Sequence, residues 1–206
     1  MGKTVILQKD LSLEGMLWEP IPSFSGQFKG NGHTISDLTI TGQYSPAGLF
    51  DIVEEQGSIE SLSVRGIVSV SDSADTTTGG IVGINHGTLI NCQFTGVVTG
   101  DSEVGGIVGR NESEGTIDHS TARAIVTGKS STGGIAGYNL GAITGCTNVG
   151  SINTEYQEAS LDTDGFTAKM VDYINNKMAA ADDDATNSVT NVATDTGGIA
   201  GRSSGM

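Results

Sequence analysis

The string Gly-Gly-Ile-(Val/Ala)-Gly occurs four times, starting at Gly79, Gly105, Gly133 and Gly197. A weaker copy, Ala47-Gly48-Leu49-Phe50, precedes them, and the spacings are 32, 26, 28 and 64 residues. Self-similarity at 20 to 50 residues marks stacked units, none of which can bury its apolar face alone. The residues around each copy align as well. Six positions after the first Gly stand Asn85, Asn111 and Asn139, with Ser203 in the last copy. Then come Gly87-x-Leu89-x-x-Cys92, Gly115-x-Ile117-x-x-Ser120 and Gly141-x-Ile143-x-x-Cys146, with Gly57, Ile59, Leu62 and Ile35, Leu38 as earlier versions. Two residues past the Cys column lie Ile40, Val64, Phe94, Ala122 and Asn148, and six past it Tyr44, Val68, Val98, Val126 and Ile152.

Apolar residues in these units alternate over runs of four to six residues that end at Gly or Asn. That is the period of a half-buried strand, and no 3.6-residue period competes with it there. The alignment predicts an all-β fold, a right-handed parallel β-helix (β-solenoid) of five to six turns with one helical insertion. Each unit supplies two or three short strands, and successive turns stack about 4.8 Å apart with like side chains above like. A core this thin suits a chain with 31 Gly in 206 residues and only 5% aromatics.

Other residues carry a family resemblance. The opening Trp18-Glu19-Pro20-Ile21, the run Phe24-Ser25-Gly26-Gln27-Phe28-Lys29-Gly30-Asn31-Gly32-His33-Thr34-Ile35 and the Gly-Gly-Ile-Val-Gly-x-Asn-x-Gly-x-Ile-x-x-Cys units resemble GLUG-repeat proteins. The resemblance covers roughly residues 16–152 and 197–203. It implies an extracellular bacterial protein, large, cell-surface and multi-domain. Some members are IgA-specific metallopeptidases with these repeats outside the catalytic domain. No binding residue is defined across that family, so the resemblance carries none over.

One solenoid domain is predicted over 1–206, with N-terminal turns over 1–45 and GLUG-like repeats over 46–152. An insertion occupies 153–196, and a further, truncated repeat starts at 197–206. From the Val/Ile column to the next Gly-Gly takes 7 residues in two units and 45 in the last, so about 38 residues enter at one loop. Inside them Phe166, Met170, Ile174 and Met178 recur every four, which predicts a helix over 165–181. It either docks on the solenoid or acts as a recognition element. Nine acids against Lys169 and Lys177 give this segment −7 of the net charge of −14. Asp182, Asp183 and Asp184 follow the helix end, where anions are disfavoured. They are a solvated cluster or, in the alternative, a Ca²⁺ site. No other cofactor is expected.

The remaining side chains point away from catalysis. Ten scattered cations against 24 acids give no patch for nucleic acid. No run of 18 apolar residues offers a membrane span. Cys92 and Cys146 share a column two turns apart, about 9.6 Å, which predicts two free, buried thiols. Asn85, Asn111 and Asn139 fall at a turn where amides stack as a ladder. His33, His86 and His119 show no zinc spacing. The outward column Thr41, Arg65, Thr95, Arg123, Val149 holds no acid for polysaccharide chemistry, and adjacent Asp118 and His119 should face opposite sides of a strand. The expectation is a non-catalytic secreted or cell-surface module, structural or adhesive, contacting a host protein or glycan or acting as a spacer. A carbohydrate-binding or carbohydrate-active β-helix is the alternative, with Trp18, Tyr44, Tyr138 and Tyr156 as candidate ligand contacts. The start at Met1-Gly2-Lys3 lacks a signal-peptide pattern, and a fresh Gly-Gly-Ile-Ala-Gly stands near the end. The expectation is an excised fragment whose open edges pair end to end.

Overall fold

A computed structural model describes residues 2–70, 76–153 and 194–203. It is an all-β parallel solenoid of about five turns, and the described residues contain no helix. Each full turn contributes four strands, not the two or three that the sequence suggests. In one turn they are Thr77–Gly79, Val82–Asn85, Thr88–Ile90 and Gln93–Thr99. Like strands of successive turns pair in parallel and build four sheets. The Ile sheet stacks Thr4–Ile6, Gln27–Lys29, Ser58–Glu60, Thr88–Ile90, Thr116–Asp118 and Ala142–Thr144. The long sheet runs from Leu11–Ser12 through Thr34–Gly42, Ser63–Val70, Gln93–Thr99 and Thr121–Thr127 to Thr147–Asn148 and Ser151–Ile152. The Thr-Gly sheet holds Thr77–Gly79, Glu103–Gly105, Ser130–Gly133 and Thr194–Gly197. The Asn sheet holds Phe50–Val53, Val82–Asn85, Val108–Asn111, Ala136–Asn139 and Ala200–Ser203.

The inward positions form columns. Phe28, Ile59, Leu89, Ile117 and Ile143 stack along the Ile sheet, and Ile35, Val64, Phe94 and Ala122 along the long sheet. Nearly all are buried, at about 1.5–3 kcal/mol for each large side chain removed from water. The Gly-Gly-Ile corner joins the Thr-Gly and Asn sheets. Ile81, Ile107 and Ile135 plug it, each fully buried. The N–H groups of Ile81 and Val82 both donate to Ile107 O, at 2.9 and 3.1 Å, and the next turn repeats the pattern onto Ile135 O. The second glycine is required by a close approach: a Cβ at Gly80 would stand 2.4 Å from the Phe94 ring.

Three expectations are corrected. The strand Thr34–Gly42 carries a bulge between Ile35 and Leu38, so Ile35 pairs with Val64, Leu38 with Gly66 and Ile40 with Val68. Ile40 therefore sits in the Val68 column, Thr41 pairs with Ser69 and not Arg65, and Tyr44 lies beyond the strand. The two polar residues Ser36 and Asp37 supply the extra length, with Asp37 at φ 62°. Second, Asp118 and His119 do not diverge: Asp118 Oδ1 lies 2.8 Å from His119 Nδ1. His119 has left the strand and occupies a left-handed corner at φ 45°, stacked with Ser61, Asn91 and Gly145 at φ 52°, 53° and 62°. Third, Cys92 is buried but Cys146 only half-buried; both are free.

The array resumes after the insertion in register, with Thr132 opposite Thr196, Gly133 opposite Gly197 and Asn139 opposite Ser203. The helix expected over 165–181 lies outside the described residues.

Candidate functional site

The outer face of the long sheet carries the candidate site. There Arg65, Thr95 and Arg123 form one outward column, and Thr39, Ile67, Val97, Ile125 and Ser151 form the next. At the N-terminal end of this face the chain turns back over the sheet through Leu13, whose N–H donates to Ser36 O at 2.9 Å. Gly15, at φ 76°, reverses the direction of the turn. A groove of about 380 Å³ lies between this turn and the sheet, lined by Glu14, Asp37, Thr39, Arg65 and Ile67.

The bulge builds the groove. It lets Asp37 Oδ2 accept from Ser12 Oγ at 2.6 Å and from Ser36 Oγ at 2.7 Å. Those two hydroxyls hold its carboxyl below the usual carboxylate range. Gly66 completes the approach, because a Cβ there would stand 2.1 Å from Leu38 O. Just beside the groove, Asp10 accepts from Thr34 N at 3.0 Å and pairs with His33 Nδ1 at 3.1 Å. Its pKa is also lowered, first by the Thr34 N–H, then by His33, with a smaller contribution from Arg65. The site thus offers a guanidinium, two carboxylates and a hydroxyl around Ile67, which is 47% exposed. Such a set can hydrogen-bond a polyhydroxylated or peptide ligand over an apolar floor. A carboxyl held ionised is poorly placed as a general acid, which needs a raised pKa.

The sequence-derived candidates fall elsewhere. Trp18 packs against the core, and its indole N–H donates to Leu49 O at 3.1 Å. Tyr44 is likewise half-buried against the core. Tyr138 stands on the Asn sheet in the outward column Ile52, Ile84, Arg110, Tyr138, Arg202. The Arg110 guanidinium lies 4.8 Å from its ring centroid and that of Arg202 5.9 Å, so the ring is flanked by cations from both adjacent turns. Glu103 forks onto Arg110, with Arg110 Nε donating to Glu103 Oε2 at 2.7 Å, and raises the pKa of the guanidinium. These aromatics do not share a groove: Trp18 bonds beside the first Asn-sheet strand, and Tyr138 lies three strands further along. Tyr156 and Asp182, Asp183 and Asp184 lie outside the described residues.

Asn85, Asn111 and Asn139 form a continuous buried ladder. Asn85 Nδ2 donates to Asn111 Oδ1, and Asn111 Nδ2 to Asn139 Oδ1, both at 2.8 Å. Each amide also donates to a backbone carbonyl of its own turn of the coil, at Gly87, Gly115 and Gly141. Cys92 and Cys146 flank Ser120, which accepts from Cys92 N at 3.1 Å and donates its own N–H to Cys146 Sγ at 3.4 Å. Among the described residues no three His, Cys, Asp or Glu side chains form a group that could hold a metal ion. No helix of the described residues is long and apolar enough to cross a membrane.

Residues 100–127, one turn of the coil, match the GLUG motif. Halomucin of Haloquadratum walsbyi is 37% identical over 100 residues, which cover 48% of this chain and 1% of halomucin. A protein of Evansella cellulosilytica described as a Gly-rich membrane protein is 29% identical, covering 48% of this chain and 16% of that protein. The chain therefore matches a small part of each relative's length. A solved structure from Bacteroides ovatus, described as an immunoglobulin A1 protease, superposes with a TM-score of 0.59. It is 23% identical and covers 74% of this chain and 53% of its own, a likeness of fold.

Proposed function

We propose that the chain is a non-catalytic module of a secreted or cell-surface protein, a rigid spacer that contacts a host protein or glycan through the groove at Arg65. The groove carries this reading. There a guanidinium, carboxyl groups and an exposed apolar side chain meet on the outer face of the long sheet. The stacked interior supports the rigidity, since successive turns pair strand on strand in parallel sheets and the three turns that carry Asn85, Asn111 and Asn139 are joined by the asparagine ladder as well. The names of the relatives, a halomucin and a Gly-rich membrane protein, support a surface location. On this reading the coil is right-handed, the sense that parallel crossover connections take in nearly all proteins. It needs no cofactor.

Of the two partner classes the groove favours glycan, because Arg, Asp, Glu and Thr around an apolar floor suit hydroxyl-rich ligands. A glycan array and a pull-down with host-surface proteins, run on the soluble chain, test the reading. Retention of a glycan or protein supports it. Release of shortened or unsaturated sugar from a retained polysaccharide would favour the carbohydrate-active alternative instead.

A further inference from the structure

Given the reading of the Arg65 groove as a glycan contact, on which this rests, we infer that its ligand is an acidic glycan with a carboxylate on every second sugar. It lies along the outer face of the long sheet from Arg65 to Arg123. Charge is the first reason. The chain has 24 Asp and Glu, yet the strands Ser63–Val70, Gln93–Thr99 and Thr121–Thr127 contain none. Each of the other three sheets carries acid: Glu60 and Asp118 in the Ile sheet, Glu103 in the Thr-Gly sheet, Asp51 in the Asn sheet. On the acid-free strands Arg65 and Arg123 are both exposed and, among the described residues, in no ion pair. Arg110 on the Asn sheet is by contrast neutralised by Glu103 and Glu112. A guanidinium without a carboxylate partner is a fork of donors shaped for one.

Spacing is the second reason. Thr95 pairs with Arg65 on one side and with Arg123 on the other, so the column alternates cation, hydroxyl, cation. The two guanidiniums stand two rungs apart, about 9.6 Å at their strands. A sugar ring in an extended glycan is about as long as one rung. Carboxylates on alternate sugars therefore fall opposite Arg65 and Arg123, and the neutral sugar between them falls opposite Thr95. Beside this column Ile67, Val97 and Ile125 form an apolar strip on which the rings can lie. Other polyanions fit worse. Acidic side chains on one face of an extended peptide recur about every 6.8 Å, out of step with the arginines. Duplex nucleic acid carries a charge per about 1.7 Å and needs a denser cationic surface. Glu14 and Asp37, beside Arg65, repel any acid group beyond it and so set the end of the track. Acids on the other faces lie further off, and physiological salt screens charges beyond about 8 Å.

Calorimetric titration of the chain with hyaluronan oligosaccharides, which carry a carboxylate on every second sugar, tests the inference. Cello-oligosaccharides of equal length and poly-glutamate are the comparisons. Hyaluronan should bind more tightly than either, and its affinity should fall as salt is raised. Arg123→Ala should weaken it roughly 10-fold or more with an unchanged circular dichroism spectrum, and Arg123→Glu further still. Arg123 does not line the groove, so the two readings separate. A neutral glycan or a protein whose binding is lost in Arg65→Ala but kept in Arg123→Ala would overturn this inference and leave the groove reading standing. Hyaluronan binding that Arg123→Ala leaves intact would overturn it too. So would equal binding of poly-glutamate, or no binding of hyaluronan at low salt.

Discussion

The Asn85 side-chain amide donates to Asn111 Oδ1 at 2.8 Å, across two consecutive turns, with both residues fully buried. The bond couples neighbouring turns at a corner where the backbone changes direction. Replacing Asn111 with Ala removes the acceptor of Asn85 and the donor to Asn139 together. Each buried polar group left without a partner costs about 1–3 kcal/mol, so Asn111→Ala should lose roughly 2–4 kcal/mol. The midpoint of urea unfolding measures this, and Asn139→Ala, at the end of the ladder, should lose less.

Two glycines at the same position of the repeat should respond differently to alanine. At Gly80 the added Cβ would meet Phe94 at 2.4 Å and Gly106 O at 2.5 Å; at Gly198 it would meet nothing within 4 Å among the described residues. Gly80→Ala should destabilise by about 1–3 kcal/mol or more, as overpacked cores do. Gly198→Ala should stay within about 0.5 kcal/mol. Thermal melts of the two variants compare them directly.

The cysteines should behave unequally. Burial pushes the Cys92 thiol up to about 12 and raises that of half-buried Cys146 less. In the native protein Cys146 should react with a thiol reagent well before Cys92, and unfolding should equalise them. Because Cys92 stays protonated when folded but ionises near pH 8.5 when unfolded, its contribution to stability is complete below that pH. It falls as pH rises towards about 12. Unfolding midpoints in an alkaline series, compared with Cys92→Ala, isolate this slope.

Acid should act through the N-terminal turns. The depressed pKa values of Asp10 and Asp37 mean that their stabilisation is present above the unfolded carboxylate pKa and is lost as pH falls through the folded value. Melting temperature should therefore begin to drop below about pH 4. Asp10→Asn/Asp37→Asn should flatten that part of the curve. A curve unchanged by the double substitution would contradict the hydrogen bonds from Thr34, Ser12 and Ser36.

The repeat made much of this architecture legible. Asn85, Asn111 and Asn139 align in sequence because each follows its Gly-Gly by the same short path, so the stacking column is written as a spacing. The same holds for Cys92, Ser120 and Cys146. Legibility failed where a turn departs from the repeat. Ser36-Asp37 interrupts the alternation between Ile35 and Leu38, and that break was the available signal for the bulge that displaces Ile40 and Thr41. The nearness of His119 to Asp118 is not legible from alternation, because His119 lies one residue past the strand end, where successive side chains no longer face opposite sides. The groove was hidden for a related reason. Its acids come from other turns than Arg65, and Glu14 and Asp37 belong to no repeating column. Trp18 is the one Trp of the sequence, but in a core this thin a large ring also serves as packing.

On the proposed reading the groove at Arg65 is the contact surface of a binding module. Its most direct test is the affinity of the soluble chain for whichever glycan or host protein it retains, measured beside Arg65→Ala and Ile67→Asp. Loss of a charged hydrogen bond is worth about 1.5–3 kcal/mol, so Arg65→Ala should weaken binding roughly 10- to 100-fold with the fold intact. Arg110→Ala, on the Asn sheet, should leave affinity unchanged. Equal affinity of the wild-type, Arg65→Ala and Ile67→Asp chains, or retention of no ligand at all, would contradict the claim.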